Sequence, residues 1–240
     1  MKPYYQDDRV TLYHGDCLEV MPTLSGVDLV VTSPPYNKGK QSGDYANMRD
    51  GYASYSDDLP DADYLEWQHA VVREMWRLTA DKGAIFYNHK PQIRDGVALL
   101  PTRYVPPEVA LRQVIIWDRR GGMNWNASFF VPQHEWVLLL AHRDFRLRDR
   151  GASATGDVWD LGIDQRSDGH PCAFPESLPA RAIEATTAQT ILDPYAGSGT
   201  TLEAARRLGR QAIGIELDER YCEQIARRFD QGVLDFGALA

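Results

Sequence analysis

Cysteine is scarce in this 240-residue chain: Cys17, Cys172 and Cys222 stand far apart. Three widely spaced thiols offer neither a disulfide framework nor the paired spacing of a zinc site, so no metal is expected. Long apolar runs are missing as well. Nothing approaches the roughly 20 residues that span a bilayer, and "MKPYYQDDRVTLYHGD" lacks a signal-peptide core. These absences point to a cytoplasmic protein with no membrane partner. Basic residues are outnumbered, 26 Lys and Arg against 34 Asp and Glu, for a net charge of −8. Any polyanionic partner must therefore be met by a local cluster, not by a uniformly basic surface. Internal repeats and low-complexity tracts are also lacking.

What is present is an ordinary globular composition, 43% hydrophobic, which is enough for a substantial core in one large domain. Short apolar segments read as strands: 10–14, 28–32, 84–88, 113–117, 136–141, 190–193 and 212–216. Most are apolar on successive positions, as strands covered on both faces are. Helical patterns lie between several of them. Tyr64, Val71, Met75 and Leu78 share one helical face behind "DADY", and helices also fit 176–187, 199–209 and 218–229. Strands alternating with helices imply a three-layer α/β domain around a mostly parallel sheet. Two segments do not follow this pattern. Residues 37–61 are polar and tyrosine-rich, and connections of such length are often lids. Residues 142–170 are arginine-rich, then rich in glycine and aspartate. Both read as insertions on a single domain spanning 1–240.

The strongest local signal is "TILDPYAGSGTTLEAARRLGRQAIGIELD", which reads strand, glycine turn, helix, strand, acid. Gly197 and Gly199 let the chain turn tightly and a ligand approach the helix. Glu216 ends the second strand, where a carboxylate can accept from two ribose hydroxyls. Thr200-Thr201 follow Gly199, so the lysine of a phosphate-binding Walker loop is absent. Asp193, ending the first strand, disfavours a pyrophosphate and suits an amine or a sulfonium cation. The second signal is Ser33-Pro34-Pro35-Tyr36, a hydroxyl, two prolines and a ring at the end of a buried strand.

Together, "DPYAGSGT" and "TSPPY" resemble the amino-group DNA methyltransferases that use S-adenosylmethionine. The proline motif precedes the glycine loop, which is similar to the permuted beta arrangement of that family. "LYHGDCLEVM" and "DGHPCAFPESLPARAI" extend the likeness along most of the chain. The resemblance implies a three-layer Rossmann-like methyltransferase fold. It implies cofactor contacts at Asp16, His170, Phe174, Pro175, Asp193, Pro194, Tyr195, Ala196, Gly197, Ser198, Gly199, Thr200 and Glu216. It also implies a catalytic Ser33, Pro34, Pro35 and Tyr36. A base inside a duplex cannot present its amino group, so it must be rotated out. Tyr36 would then stack on it, while Ser33 Oγ and the Pro34 carbonyl accept its amino hydrogens. Pro171-Cys172 is similar to the Pro-Cys of carbon-5 cytosine enzymes, but it precedes the glycine loop, and Cys172 reads as a small buried or pocket-lining residue.

Serine in the motif and "FPE" before the glycine loop favour N4 of cytosine over N6 of adenine. An RNA methyltransferase and a non-catalytic binding module are the further alternatives. DNA phosphates are expected at Lys38, Lys40, Arg119, Arg120, Arg143, Arg146, Arg148 and Arg150 around the cleft. Residues 142–170 would be a short target-recognition region, which implies a homodimer supplying a second DNA-contacting surface. A restriction-modification setting would add a cognate endonuclease.

Overall fold

The computed structural model describes residues 1–37, 58–122, 126–162 and 174–235. In chain order its strands are β1 (Tyr5–Gln6), β2 (Val10–His14), β3 (Val27–Thr32), β4 (Thr79–His89), β5 (Gln92–Arg94), β6 (Val97–Leu99), β7 (Leu111–Asp118), β8 (His134–Ala141), β9 (Val158–Asp160), β10 (Thr190–Asp193) and β11 (Gln211–Glu216). The helices are α1 (Cys17–Val20), α2 (Asp61–Leu78), α3 (Arg150–Ser153), α4 (Ser177–Glu184), α5 (Thr200–Arg207) and α6 (Glu219–Asp235). Nine strands form one sheet in the order β1-β2-β11-β10-β3-β4-β8-β7-β9, and β5 and β6 form a separate hairpin.

Alternation along each strand divides the core in two. Leu29, Val31, Phe86, Ile115 and Leu139 face one side, under Leu178 and Ile183 of α4, Leu202 of α5, and Ile225 and Phe229 of α6. Val30, Ile85 and Leu138 face the other, under Cys17 and Val20 of α1 and Tyr64, Val71 and Met75 of α2. Both faces are covered, which is why the strands read as continuous apolar runs.

From β2 through β11, β10, β3 and β4 all pairings are parallel. β8 runs antiparallel to both β4 and β7, while β9 is parallel to β7. The centre of the sheet follows a topological switch. From β10 the chain crosses on the α5 face to β11 on one side; from β3 it crosses on the α2 face to β4 on the other. A crevice opens at the carboxyl ends of adjacent strands that diverge in this way. β10 and β3 carry the glycine loop and the di-proline corner respectively.

Candidate active site

The two central strands are tied at both ends. At their start, Asp28 Oδ2 accepts from the backbone amides of Gln189 and Thr190, each at 2.9 Å. At their finish, Thr32 Oγ1 donates to Asp193 Oδ1 at 2.7 Å. Residues 161 positions apart are thus locked one step before Ser33. Asp193 is buried, and burial raises its carboxyl above the usual aspartate range; hydrogen bonds from Thr201, Thr32 and the Tyr195 amide oppose that rise. Gly197 and Gly199 turn the chain away with φ of +52° and +81°. A Cβ on Gly199 would lie 2.9 Å from Ile225 Cγ1, so both conformation and space demand glycine. The Gly197 amide donates to Glu216 Oε2 and the Asp218 amide to Oε1, both at 2.8 Å. Burial pushes the Glu216 carboxyl up to about 7, with Asp218 and Asp193 adding to the rise and the two amides opposing it.

One cleft joins both motifs: Gly15, Asp16, Cys17, Ser33, Pro35, Trp67, Pro194, Tyr195, Gly197, Ile215, Glu216 and Leu217 line it. Its walls are apolar and aromatic, it carries two carboxylates, and among the described residues no basic side chain lines it. That donor set fits a phosphate-free nucleoside with a cationic centre, which is the chemistry of S-adenosylmethionine. Asp16 serves also as the N-cap of α1, accepting from the Leu18 amide at 2.7 Å.

The di-proline corner is held from outside the cleft. Tyr64 Oη donates to the Pro35 carbonyl at 2.6 Å, Gln92 Nε2 to that of Tyr36 at 2.5 Å, and Arg94 Nη2 to that of Asn37. Asn37 adopts φ of +53°, and its amide group exchanges two hydrogen bonds with the Leu59 backbone. Among the described residues, none donates to the Pro34 carbonyl.

The Tyr36 hydroxyl is anchored within the protein. It donates to Glu135 Oε2 at 2.8 Å and lies 2.8 Å from Ser33 Oγ. Asn88 Nδ2 reaches Tyr36 Oη at 2.7 Å, Glu135 Oε2 at 3.0 Å and Ser33 Oγ at 3.3 Å. Glu135 Oε1 in turn pairs with Arg119 Nη1 at 3.2 Å, the two side chains being only 7% and 16% exposed. The Tyr36 ring leans on His89 with centroids 4.7 Å apart.

The structure thus brings together Asp16, Ser33, Pro34, Pro35, Tyr36, Asp193, Pro194, Tyr195, Gly197 and Glu216. Ala196, Ser198, Gly199 and Thr200 form the buried turn behind them, where Ser198 Oγ and Thr200 Oγ1 are 3.1 Å apart. Phe174 packs against the core on the α4 face, and the Pro175 carbonyl accepts from Leu178 at the start of that helix; neither lines the cleft. His170, Cys172, Lys38 and Lys40 lie outside the described residues.

The expected ring of arginines around the cleft is corrected in two ways. β8 runs against its neighbours, so Arg143, Arg146, Arg148 and Arg150, which follow it, lie at the opposite edge of the sheet from Ser33. There Arg146 caps the Arg143 and Phe145 carbonyls, and Arg148 pairs with Asp149. Arg119 is at the site edge but is consumed by Glu135, whereas Arg120, beside it, is 63% exposed and pairs with Asp160. The sequence reading passes over Asn88, Glu135, Tyr64 and Trp67. The available signal was a polar pair ending the apolar "AIFYNH" and a lone acid opening "HEWVLLLA".

With this geometry in view, the comparisons are specific. The N6/N4 DNA methylase family matches residues 27–227. M.ScaI, a type II methyltransferase of Streptomyces caespitosus, is 30% identical over 270 residues, covering 95% of this chain and 84% of the relative. A DNA modification methylase of Thermus thermophilus, TTHA0409, solved complexed with S-adenosyl-L-methionine, is 26% identical with a TM-score of 0.64, over 92% of this chain and 93% of that one. The PvuII DNA methyltransferase, titled cytosine-N4-specific, shares the fold with a TM-score of 0.78 at 19% identity, covering 95% of this chain and 89% of that one. Fold and site define a Rossmann-like methyltransferase. The chain belongs to the N6/N4 DNA methylase family, and its methyl donor is S-adenosylmethionine.

Proposed function

We propose that this chain methylates the exocyclic amino group of a base turned out of duplex DNA at a specific site, with N4 of cytosine as the favoured target. The observation that carries the reading is the Thr32–Asp193 hydrogen bond, which sets Ser33 and the glycine loop on one cleft. Glu216 and Asp16 would hold the nucleoside hydroxyls and adenine, Trp67 and Tyr195 would enclose it, and the α5 N-terminus suits a carboxylate. Bound there, S-adenosylmethionine supplies an electrophilic methyl group. The chain's own task is then positioning. Ser33 Oγ and the Pro34 carbonyl accept the two amino hydrogens, drawing the nitrogen out of conjugation with its lone pair aimed into the cleft. The Tyr36 ring, fixed at its hydroxyl, offers a face for the base.

Serine at the head of the motif supports cytosine, as does the shared fold of the cytosine-N4-specific PvuII enzyme. At the site edge, Arg120 and Phe130, which is 97% exposed, are the groups placed to meet DNA. With the arginine run on the far edge, a second copy of the chain would supply further phosphate contacts. The test is to methylate a complex DNA with the purified protein, digest it to nucleosides and separate them by mass. N4-methylcytosine is expected; N6-methyladenine as sole product overturns the base assignment, and absence of any methylated nucleoside overturns the function.

A further inference from the structure

We infer that Ser33, Tyr36 and Glu135 form a proton relay that carries the proton shed by the amino group away from the cleft, with Glu135 as terminal acceptor. The inference rests on the reading above that Ser33 meets the amino group. Hydrogen-bond direction is its starting point. Glu135, ion-paired with Arg119, is an acceptor only, so Tyr36 spends its single O–H on Oε2. Tyr36 Oη is then an acceptor, and the 2.8 Å contact from Ser33 Oγ is a donation by serine. Ser33 therefore turns its lone pairs, not its proton, toward the cleft that it lines.

Asn88 enforces this direction. Its Nδ2 faces two acceptors, Tyr36 Oη and Glu135 Oε2, and the reversed amide would set oxygen against carboxylate. In the orientation found, Asn88 Oδ1 is buried with no hydrogen-bond partner among the described residues. An amide oxygen is left unsatisfied so that the amide hydrogens can hold the chain of hydroxyls in one polarity.

The step balances. A C–N bond forms from the nitrogen lone pair as the methyl–sulfur bond breaks with its electron pair to sulfur. The nitrogen then carries a positive charge and one hydrogen too many. That N–H bond breaks toward Ser33 Oγ, the serine proton moves to Tyr36 Oη, and the tyrosine proton moves to Glu135 Oε2. The carboxylate becomes a carboxylic acid beside Arg119, and it returns its proton to solvent before the next turnover. Moving a proton through positioned hydroxyls is general base catalysis at a distance. Glu135 touches neither base nor cofactor and acts through Tyr36.

The experiment uses full-length protein, a target duplex and single-turnover methyl transfer. Tyr36→Phe keeps the ring but removes the link, and it should slow transfer about 100-fold while cofactor and duplex Kd, measured by calorimetry, stay within about twofold. Glu135→Gln should lose a similar factor, and the double variant should be no slower than either single one, because one broken relay cannot break twice. Glu135→Asp should recover part of the rate. Infrared difference spectra across one turnover should show a protonated carboxyl in the wild type that Glu135→Gln lacks. Transfer by Tyr36→Phe within threefold of wild type, or multiplicative losses in the double variant, overturns the relay while leaving the methyltransferase reading intact. A wild type that transfers nothing overturns the reading itself.

Discussion

Lowering the pH from 8 to 6 should weaken nucleoside binding about tenfold, and the group responsible is Glu216. Its carboxyl titrates at about 7 because burial disfavours the charge and the Gly197 and Asp218 amides only partly offset this. Ribose hydroxyls donate to carboxylate oxygens, so occupancy favours the ionised form and must release a proton. At pH 8 roughly nine-tenths of the free protein is ready to bind, and at pH 6 roughly one-tenth, a ratio worth about 1.4 kcal/mol. Affinity is therefore lost as pH falls through 7, not as it rises. The probe should be 5′-deoxy-5′-methylthioadenosine, since an α-amino group such as the donor's own titrates near 8 and would confuse the slope. Calorimetry in two buffers of different ionisation heat counts the protons released near pH 7. A Kd constant within twofold from pH 6 to 8, or proton uptake instead of release, would refute the assignment of Glu216 to the ribose.

Two other perturbations separate structure from surface. Thr32→Val keeps the shape of the strand end but removes the hydroxyl from Asp193. Leaving that buried carboxyl with one donor fewer should cost about 1–3 kcal/mol, read as a lowered denaturant midpoint. Joint charge reversal of Arg146 and Arg148, at the edge remote from Ser33, should leave duplex affinity and its salt dependence unchanged. Arg120→Glu, at the site edge, should weaken binding and flatten that dependence. Fluorescence anisotropy across a salt series distinguishes the two, and equal weakening would show that DNA wraps both edges.

Seven strands and four helices were legible from the chain because their side chains report burial directly. Val27, Leu29, Val30 and Val31 are all inaccessible, so β3 reads as a strand covered on both faces. The two chemical motifs were legible because glycine and proline dictate backbone. Strand direction was not, because alternation reads the same forwards and backwards. The reversal of β8 sends the arginine run to the wrong edge for the role expected of it. The β5–β6 hairpin escaped notice because Ile93 and Val97 are exposed and each strand is three residues long. The Glu135–Asn88–Tyr36 cluster depends on register. With Asn88 opposite Val137 and His89 opposite Trp136, Glu135 follows one step beyond at the site edge, and nothing within either segment announces the meeting.

Asn37 and Leu59 fasten the chain on either side of residues 38–57, beside the anchors of the Ser33–Tyr36 corner itself. A clasp at the base isolates the corner from whatever length or composition is strung between its jaws, and closing a loop costs only about 0.6 kcal/mol more for each doubling of its length. That stretch is consequently a cassette. Segments of other methylases could be grafted between the same two residues to alter the DNA sequence chosen, with the chemistry beneath left in place.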